Sequence, residues 1–145
     1  MLTQTIYNAD IIKLSLSIGA DTVLGKYGVF EAGEALSFGH LVYYKTPGEL
    51  WKADMNAVAT MPGMGIAAQA KNDGELCTVL LYGIAHLHTL NPGWTVGGMV
   101  YAAASGAMSQ TAPSGNEDMI QIIGIAMAAD ILFFNPQYAM VEVKV

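Results

Sequence analysis

Gly39-His40-Leu41-Val42-Tyr43-Tyr44-Lys45-Thr46-Pro47-Gly48-Glu49-Leu50-Trp51 decides the reading of this chain, because it is written a second time. The second copy is Gly97-Gly98-Met99-Val100-Tyr101-Ala102-Ala103-Ala104-Ser105-Gly106-Ala107-Met108-Ser109, displaced by 58 positions. The shared pattern is G-x-[LM]-V-Y-x-x-x-x-G-x-[LM]. Both copies run on to G-I-A-x-x-A, at Gly65-Ile66-Ala67-Ala68-Gln69-Ala70 and at Gly124-Ile125-Ala126-Met127-Ala128-Ala129, now displaced by 59 positions. One inserted residue accounts for the difference. Upstream, Leu36 and Phe38 answer to Trp94 and Val96. Units of this length, present twice, are half-domains, since a solenoid needs more copies. The pseudo-repeats span approximately residues 33–70 and 93–129.

Val42-Tyr43-Tyr44 and Val100-Tyr101 are β-branched and aromatic, which suits a pleated, half-buried surface. Pro47-Gly48 and Ser105-Gly106 are turn pairs, so each copy predicts a hairpin. The G-I-A runs predict small-residue strands that another backbone can approach closely. Around the copies, residues 11–18 alternate apolar and polar from Ile12 onward, the mark of a one-face-buried strand. Val23-Leu24 and Val29-Phe30 are expected to flank a loop through Gly25 and Gly28. Further strands are expected at 34–38, 75–82, 84–90, 119–129, 131–134 and 140–145, with Gly83 and Asn91-Pro92-Gly93 as breaks. Residues 54–62 read as a loop or one helical turn. No stretch sustains a helical period between caps. The pattern predicts one all-β domain over residues 1–145. Its form is a compact β-sandwich or β-barrel-like body of two pseudo-repeats, with residues 1–9 as a possible extended arm.

Apolar residues make up 53% of the chain and charged residues 12%, about half the usual charged share. One small domain has too much surface to hide that excess, so subunit contacts are expected. No membrane span is expected, because the apolar runs are far shorter than about 20 residues. No signal peptide is expected either, since the start lacks basic residues and Asp10 and Lys13 interrupt its apolar residues. The net charge is −6, and all six basic residues are Lys. That argues against nucleic acid, which is bound by basic patches and Arg forks. The lone Cys77 excludes an intramolecular disulfide and reads as a buried thiol.

Few residues suggest chemistry. His86 and His88 share a strand face and could begin a metal site. No Cys, Asp or Glu lies nearby in sequence to complete one, so they read as solvent or interface histidines and no metal is expected. Asp73 with Glu75, and Glu117 with Asp118, are acidic pairs at turns. Gly97-Gly98 and Gly63-Met64-Gly65 are not phosphate loops, having no Lys-Ser/Thr pair and no following helix. Ser105 and Ser114 sit in turns, without a Gly-x-Ser-x-Gly elbow. Tyr43, Tyr44 and Trp51 could stack on a sugar, but packing is their expected use. No catalytic residue and no cofactor is expected.

The residue order is distinctive: a Gly-led Val-Tyr strand, a Gly turn, Trp51-Lys52-Ala53-Asp54, a G-I-A strand, a strand ending at Gly83 and a Pro-Gly break. A second Gly-Val-Tyr strand follows, then Gln121-Ile122-Ile123-Gly124-Ile125-Ala126 and Ile131-Leu132-Phe133-Phe134-Asn135-Pro136. Over roughly residues 10–136 this resembles the capsid decoration (cement, head-stabilising) proteins of tailed bacteriophages. The resemblance implies a small all-β structural protein on the virion exterior, made in the host cytoplasm. Its implied partners are the major capsid protein and its own copies, as a homo-trimer before a dimer, with no membrane. It implies no catalytic residues. The alternative is a phage tail-fibre or baseplate module that binds host-surface carbohydrate.

Overall fold

The computed structural model describes residues 18–145. The expected arm at residues 1–9, and all but the last residue of the expected strand at 11–18, lie outside the described residues.

The first copy folds as β2 (Leu41–Thr46) and β3 (Glu49–Lys52), joined at Pro47-Gly48, followed by β4 (Gly65–Ala67). The second copy gives β6 (Met99–Ala102), β7 (Met108–Ser109) and β9 (Ile122–Ala126), with the short β8 (Met119–Ile120) between β7 and β9. Four of the pairings correspond at the sequence offset. Tyr43 opposes Trp51 and Tyr44 opposes Leu50 in the first copy; Tyr101 opposes Ser109 and Ala102 opposes Met108 in the second. Leu41 opposes Ile66 and Val42 opposes Gly65, as Met99 opposes Ile125 and Val100 opposes Gly124. Both turn glycines are left-handed, Gly48 at φ +80° and Gly106 at φ +81°. Only glycine takes that conformation without cost.

Three further strands complete the main sheet: β1 (Thr22–Ala32), β5 (Leu76–His86) and β10 (Ile131–Phe134). Its nine strands run in the order β1-β3-β2-β4-β5-β10-β9-β6-β7. The β1–β3 pairing is parallel and the others are antiparallel, so the topology is mixed. β1 also pairs along its length with β5, so the pairings β1-β3-β2-β4-β5 return to β1. A second, two-stranded sheet joins β8 to β11 (Val141–Glu142).

Alternation along these strands feeds two cores. Val42, Leu50, Ala67, Cys77 and Val79 point into a small core with Ala32 and Leu36. Leu41, Tyr43, Ile66 and Leu80 point the other way, into a larger core with Val100, Ile123, Leu132 and Phe134. Leu41-Val42-Tyr43 and Gly65-Ile66-Ala67 are thus buried on both faces, which explains why these short runs are continuously apolar. Each fully buried Leu, Ile or Val contributes roughly 1.5–3 kcal/mol.

Several expectations are corrected. There is no loop through Gly25 and Gly28, and no break at Gly83: β1 and β5 each run unbroken for 11 residues. Gly25 opposes Gly83, and the two backbones approach so closely that neither position has room for a side chain. The glycines permit a close strand crossing instead of ending strands. The expected strand at 34–38 is a single bridge, Leu36 to Lys71, because Phe38 and Gly39 already turn into β2. The expected strand through the first G-I-A run is reduced to the three residues of β4. The expected strand at 119–129 splits at Gln121, whose side chain turns inward to bind backbone. Residues 84–90 extend β5 only to His86 before a turn. Residues 140–145 pair only at β11. A short 3-10 turn, Val58–Thr60, occupies the stretch read as loop or helical turn.

Candidate functional site

Two features on the same side of β5 stand out. The first is an apolar row. In-register pairs run Leu24–Ile84, Ile84–Phe133, Phe133–Ile125 and Ile125–Met99, across β1, β5, β10, β9 and β6. Residues paired this way share a face. The neighbouring row, Val23–Ala85–Leu132–Ala126, points into the core. In the outer row, Leu24 is 42% exposed, Ile125 45% and Met99 51%. Tyr82, two residues before Ile84 on the same face, packs edge-on against Phe133 at 5.5 Å. The composition signals an apolar excess; only the pairing shows where it gathers.

The second feature lies two residues beyond Ile84. His86 ends β5 on that outer face, and His88 follows in the turn. Ile131 opposes His86, and the Leu87 N–H donates to the Asp130 carbonyl at 2.7 Å. That extra rung places Asp130 beside both imidazoles. His86 Nε2 is 3.0 Å and His88 Nδ1 3.5 Å from Asp130 Oδ2. The His86 Nδ1–H donates to the Ile18 carbonyl at 2.8 Å. Burial pushes the His86 pKa down, but the Ile18 carbonyl and the Asp130 carboxylate outweigh it and leave the pKa raised. Nearby, Asp21 accepts the Thr89 N–H at 2.9 Å and also the Thr89 hydroxyl. Those bonds, helped by His88 and His86, hold its pKa below the usual carboxylate value. Sequence reasoning named the two histidines but missed Asp130, which is 44 positions from His86. The signal available was Asp130 directly before a strand, and strand register was needed to use it.

A cavity of about 270 Å³ lies between the start of the first copy and the turn of the second, lined by His40, Leu87, Trp94, Ser105 and Met108. His40 Nδ1 accepts the Ser37 N–H at 2.9 Å. Burial, and then Lys52, lower the His40 pKa, which favours the neutral ring with its proton on Nε2. With Nδ1 committed, that ring has no free lone pair to activate the Ser105 hydroxyl. Ser105 itself lies in the turn at φ +53°.

The remaining candidates have local roles. Tyr43 is buried in the larger core, whereas Tyr44 faces the other way, edge-on to Phe30 at 5.5 Å. Lys45 Nζ sits 3.9 Å over the Trp51 ring. The three aromatics therefore form no common platform. Asp118 Oδ2 accepts the Gly115 N–H at 2.8 Å, and Glu75 accepts the Asn72 N–H at 2.6 Å, both closing turns. Cys77 is 1% exposed, and burial raises its thiol pKa. Only the thiolate reacts rapidly. A disulfide reagent is therefore expected to leave native Cys77 unmodified and to titrate one thiol after unfolding in guanidinium. Rapid modification of the native chain would show that the small core opens.

No family model matches the chain, no curated protein matches it in sequence, and no solved structure matches it in fold.

Proposed function

We propose that this chain is a structural virion protein, without catalytic activity, that seats on the outer surface of a phage capsid and stabilises contacts between major capsid subunits. The observation that carries the proposal is the row Leu24–Ile84–Phe133–Ile125–Met99. Five strands at about 4.8 Å spacing make it about 19 Å wide. That is wide enough to form the apolar centre of a standard interface of about 800 Å² per partner. The capsid enters through the resemblance of the Gly-Val-Tyr and Gly-Ile-Ala strands to decoration proteins. A net charge of −6 without Arg agrees with a place outside the packaged genome.

The same reading makes the domain a duplication of one strand-turn-strand unit. Its support is the agreement of sequence offset with pairing register in both copies. The ring β1-β3-β2-β4-β5 then reads as a small barrel around the Val42 core, carrying the second copy as an open sheet. The carbohydrate-binding alternative has less support, since Tyr43, Tyr44 and Trp51 do not share a surface.

The test is attachment to heads assembled without this protein. Wild-type chain added back is expected to bind. The double variant Met99→Lys, Ile125→Lys should bind at least about tenfold more weakly, a loss of about 1.4 kcal/mol, while its melting curve stays close to wild type. Equal binding by variant and wild type would end the proposal for this face. Loss of self-association alone, with attachment to heads intact, would reassign the row to contacts between copies.

A further inference from the structure

The cluster His86, His88 and Asp130 gathers three ligand atoms around a point where a proton or a metal ion can sit. A carbonyl only accepts, so the bond to Ile18 fixes the proton of neutral His86 on Nδ1. Its Nε2 then presents a bare lone pair to Asp130 Oδ2 at 3.0 Å, and two electron-rich atoms at that distance need a cation between them. A proton on Nε2 can supply it. The His88 ring also turns a nitrogen to the same oxygen, at 3.5 Å, and stands edge-on to His86 at 5.7 Å between centroids. The three ligand atoms all lie within 4.8 Å of one another.

We propose that His86, His88 and Asp130 bind a divalent transition-metal ion of the zinc class. Two ligands about 2.0–2.1 Å from a tetrahedral zinc stand about 3.3 Å apart, so the separations of 3.0 and 3.5 Å to Asp130 already fit, and the two histidine nitrogens, within 4.8 Å of each other, must close by at most about 1.5 Å. Two imidazoles and one carboxylate suit zinc, copper or nickel; calcium and magnesium demand mostly oxygen ligands. The His86–Ile18 bond is the support that a metal-bound imidazole characteristically has: the far nitrogen donates to a carbonyl, which orients the ring and aims the other lone pair. Asp21, held by Thr89, adds negative charge beside the histidines. When the ion binds, it takes the Nε2 lone pair, and any proton there leaves to solvent.

His88, with 65% of its side chain exposed, leaves the fourth position open to water or to a donor from a neighbouring subunit. His86 and the apolar row share one face of β5, so an ion here would lie at the edge of the docking surface. The site does not depend on the capsid proposal, because its three ligands come from one chain.

The experiment uses the untagged full-length chain, stripped with chelator and titrated with zinc chloride by calorimetry. Close to one zinc per chain is expected, with cobalt giving the visible absorption of a tetrahedral site. H88Q and D130N should each weaken zinc binding at least about tenfold. H88Q changes an exposed side chain and keeps the fold, which separates loss of a ligand from loss of structure. H40Q should bind zinc as wild type does, and magnesium should give no heat. Absence of binding at micromolar zinc, or zinc binding indifferent to both H88Q and D130N, would overturn the assignment.

Discussion

Gly83→Ala is expected to abolish or severely reduce folding, although it adds one carbon. A Cβ at Gly83 would lie 2.2 Å from the Leu24 carbonyl oxygen and 2.8 Å from the Gly25 Cα. One at Gly25 would meet the Tyr82 carbonyl oxygen at 2.1 Å and the Gly83 Cα at 2.8 Å. The obstructing atoms are backbone, which cannot rotate aside as a side chain can. The strands must part, and β5 is bonded to β1, β4 and β10 at once. We expect a loss above about 4 kcal/mol, within reach of the whole stability of a small domain. Gly74→Ala is the matched control: it also has positive φ, at +85°, but nothing lies within 4 Å of the added carbon. It should cost about 1–2 kcal/mol, the left-handed penalty alone. Urea unfolding of both variants reads the difference. Equal losses would show that backbone conformation, and not close approach, is what these glycines serve.

That glycine pair also marks where the sequence stops being legible. The proposed repeat rests on residues that both copies keep where turn and register demand them: Val42 and Val100 across from Gly65 and Gly124, Gly48 and Gly106 in the turns. The all-β class followed from short apolar runs between Gly and Pro. A glycine inside an apolar run has two meanings, however. It ends a strand, or it lets two strands touch. Nothing local to Gly25 or Gly83 distinguishes them; only their being opposite each other does. The same limit hid Asp130, which joins His86 and His88 through the register of β10 on β5. It also hid the apolar row, whose five members come from five strands. Residue types along a strand are written in sequence, whereas neighbours across strands are set by long-range pairing.

Gln121→Leu is the second large loss expected, and it tests how the two copies are joined. Gln121 is fully buried between β8 and β9, in the second copy. Its Oε1 accepts the Gly63 N–H at 2.8 Å, and its Nε2 donates to the Gly63 carbonyl at 2.8 Å. The side-chain amide thus acts as one more strand residue for the first copy, just before β4. Nε2 also donates to the Gln137 carbonyl at 2.8 Å, tying down the segment after β10. Leucine fills similar space but leaves the buried Gly63 N–H and carbonyl without these partners, and leaves the carbonyl of the exposed Gln137 to solvent. Each orphaned group costs about 1–3 kcal/mol, so a total near 3–5 kcal/mol is expected. Gln121→Glu separates hydrogen bonding from volume. Its carboxylate can accept from Gly63 N–H but must face the two carbonyls, and burial also opposes the charge, so its pKa in the folded chain rises. The penalty is complete at pH well above that raised value. It should shrink as pH falls from that raised value towards the unfolded carboxyl value of about 4.3, because the folded chain takes up the proton first. Leucine at 121 should lose the same stability, relative to wild type, at every pH. Denaturant unfolding of wild type and both variants across that range measures this. If the glutamate penalty did not change with pH, or leucine cost less than about 1 kcal/mol, the amide bridge would not be what holds the first copy to the second.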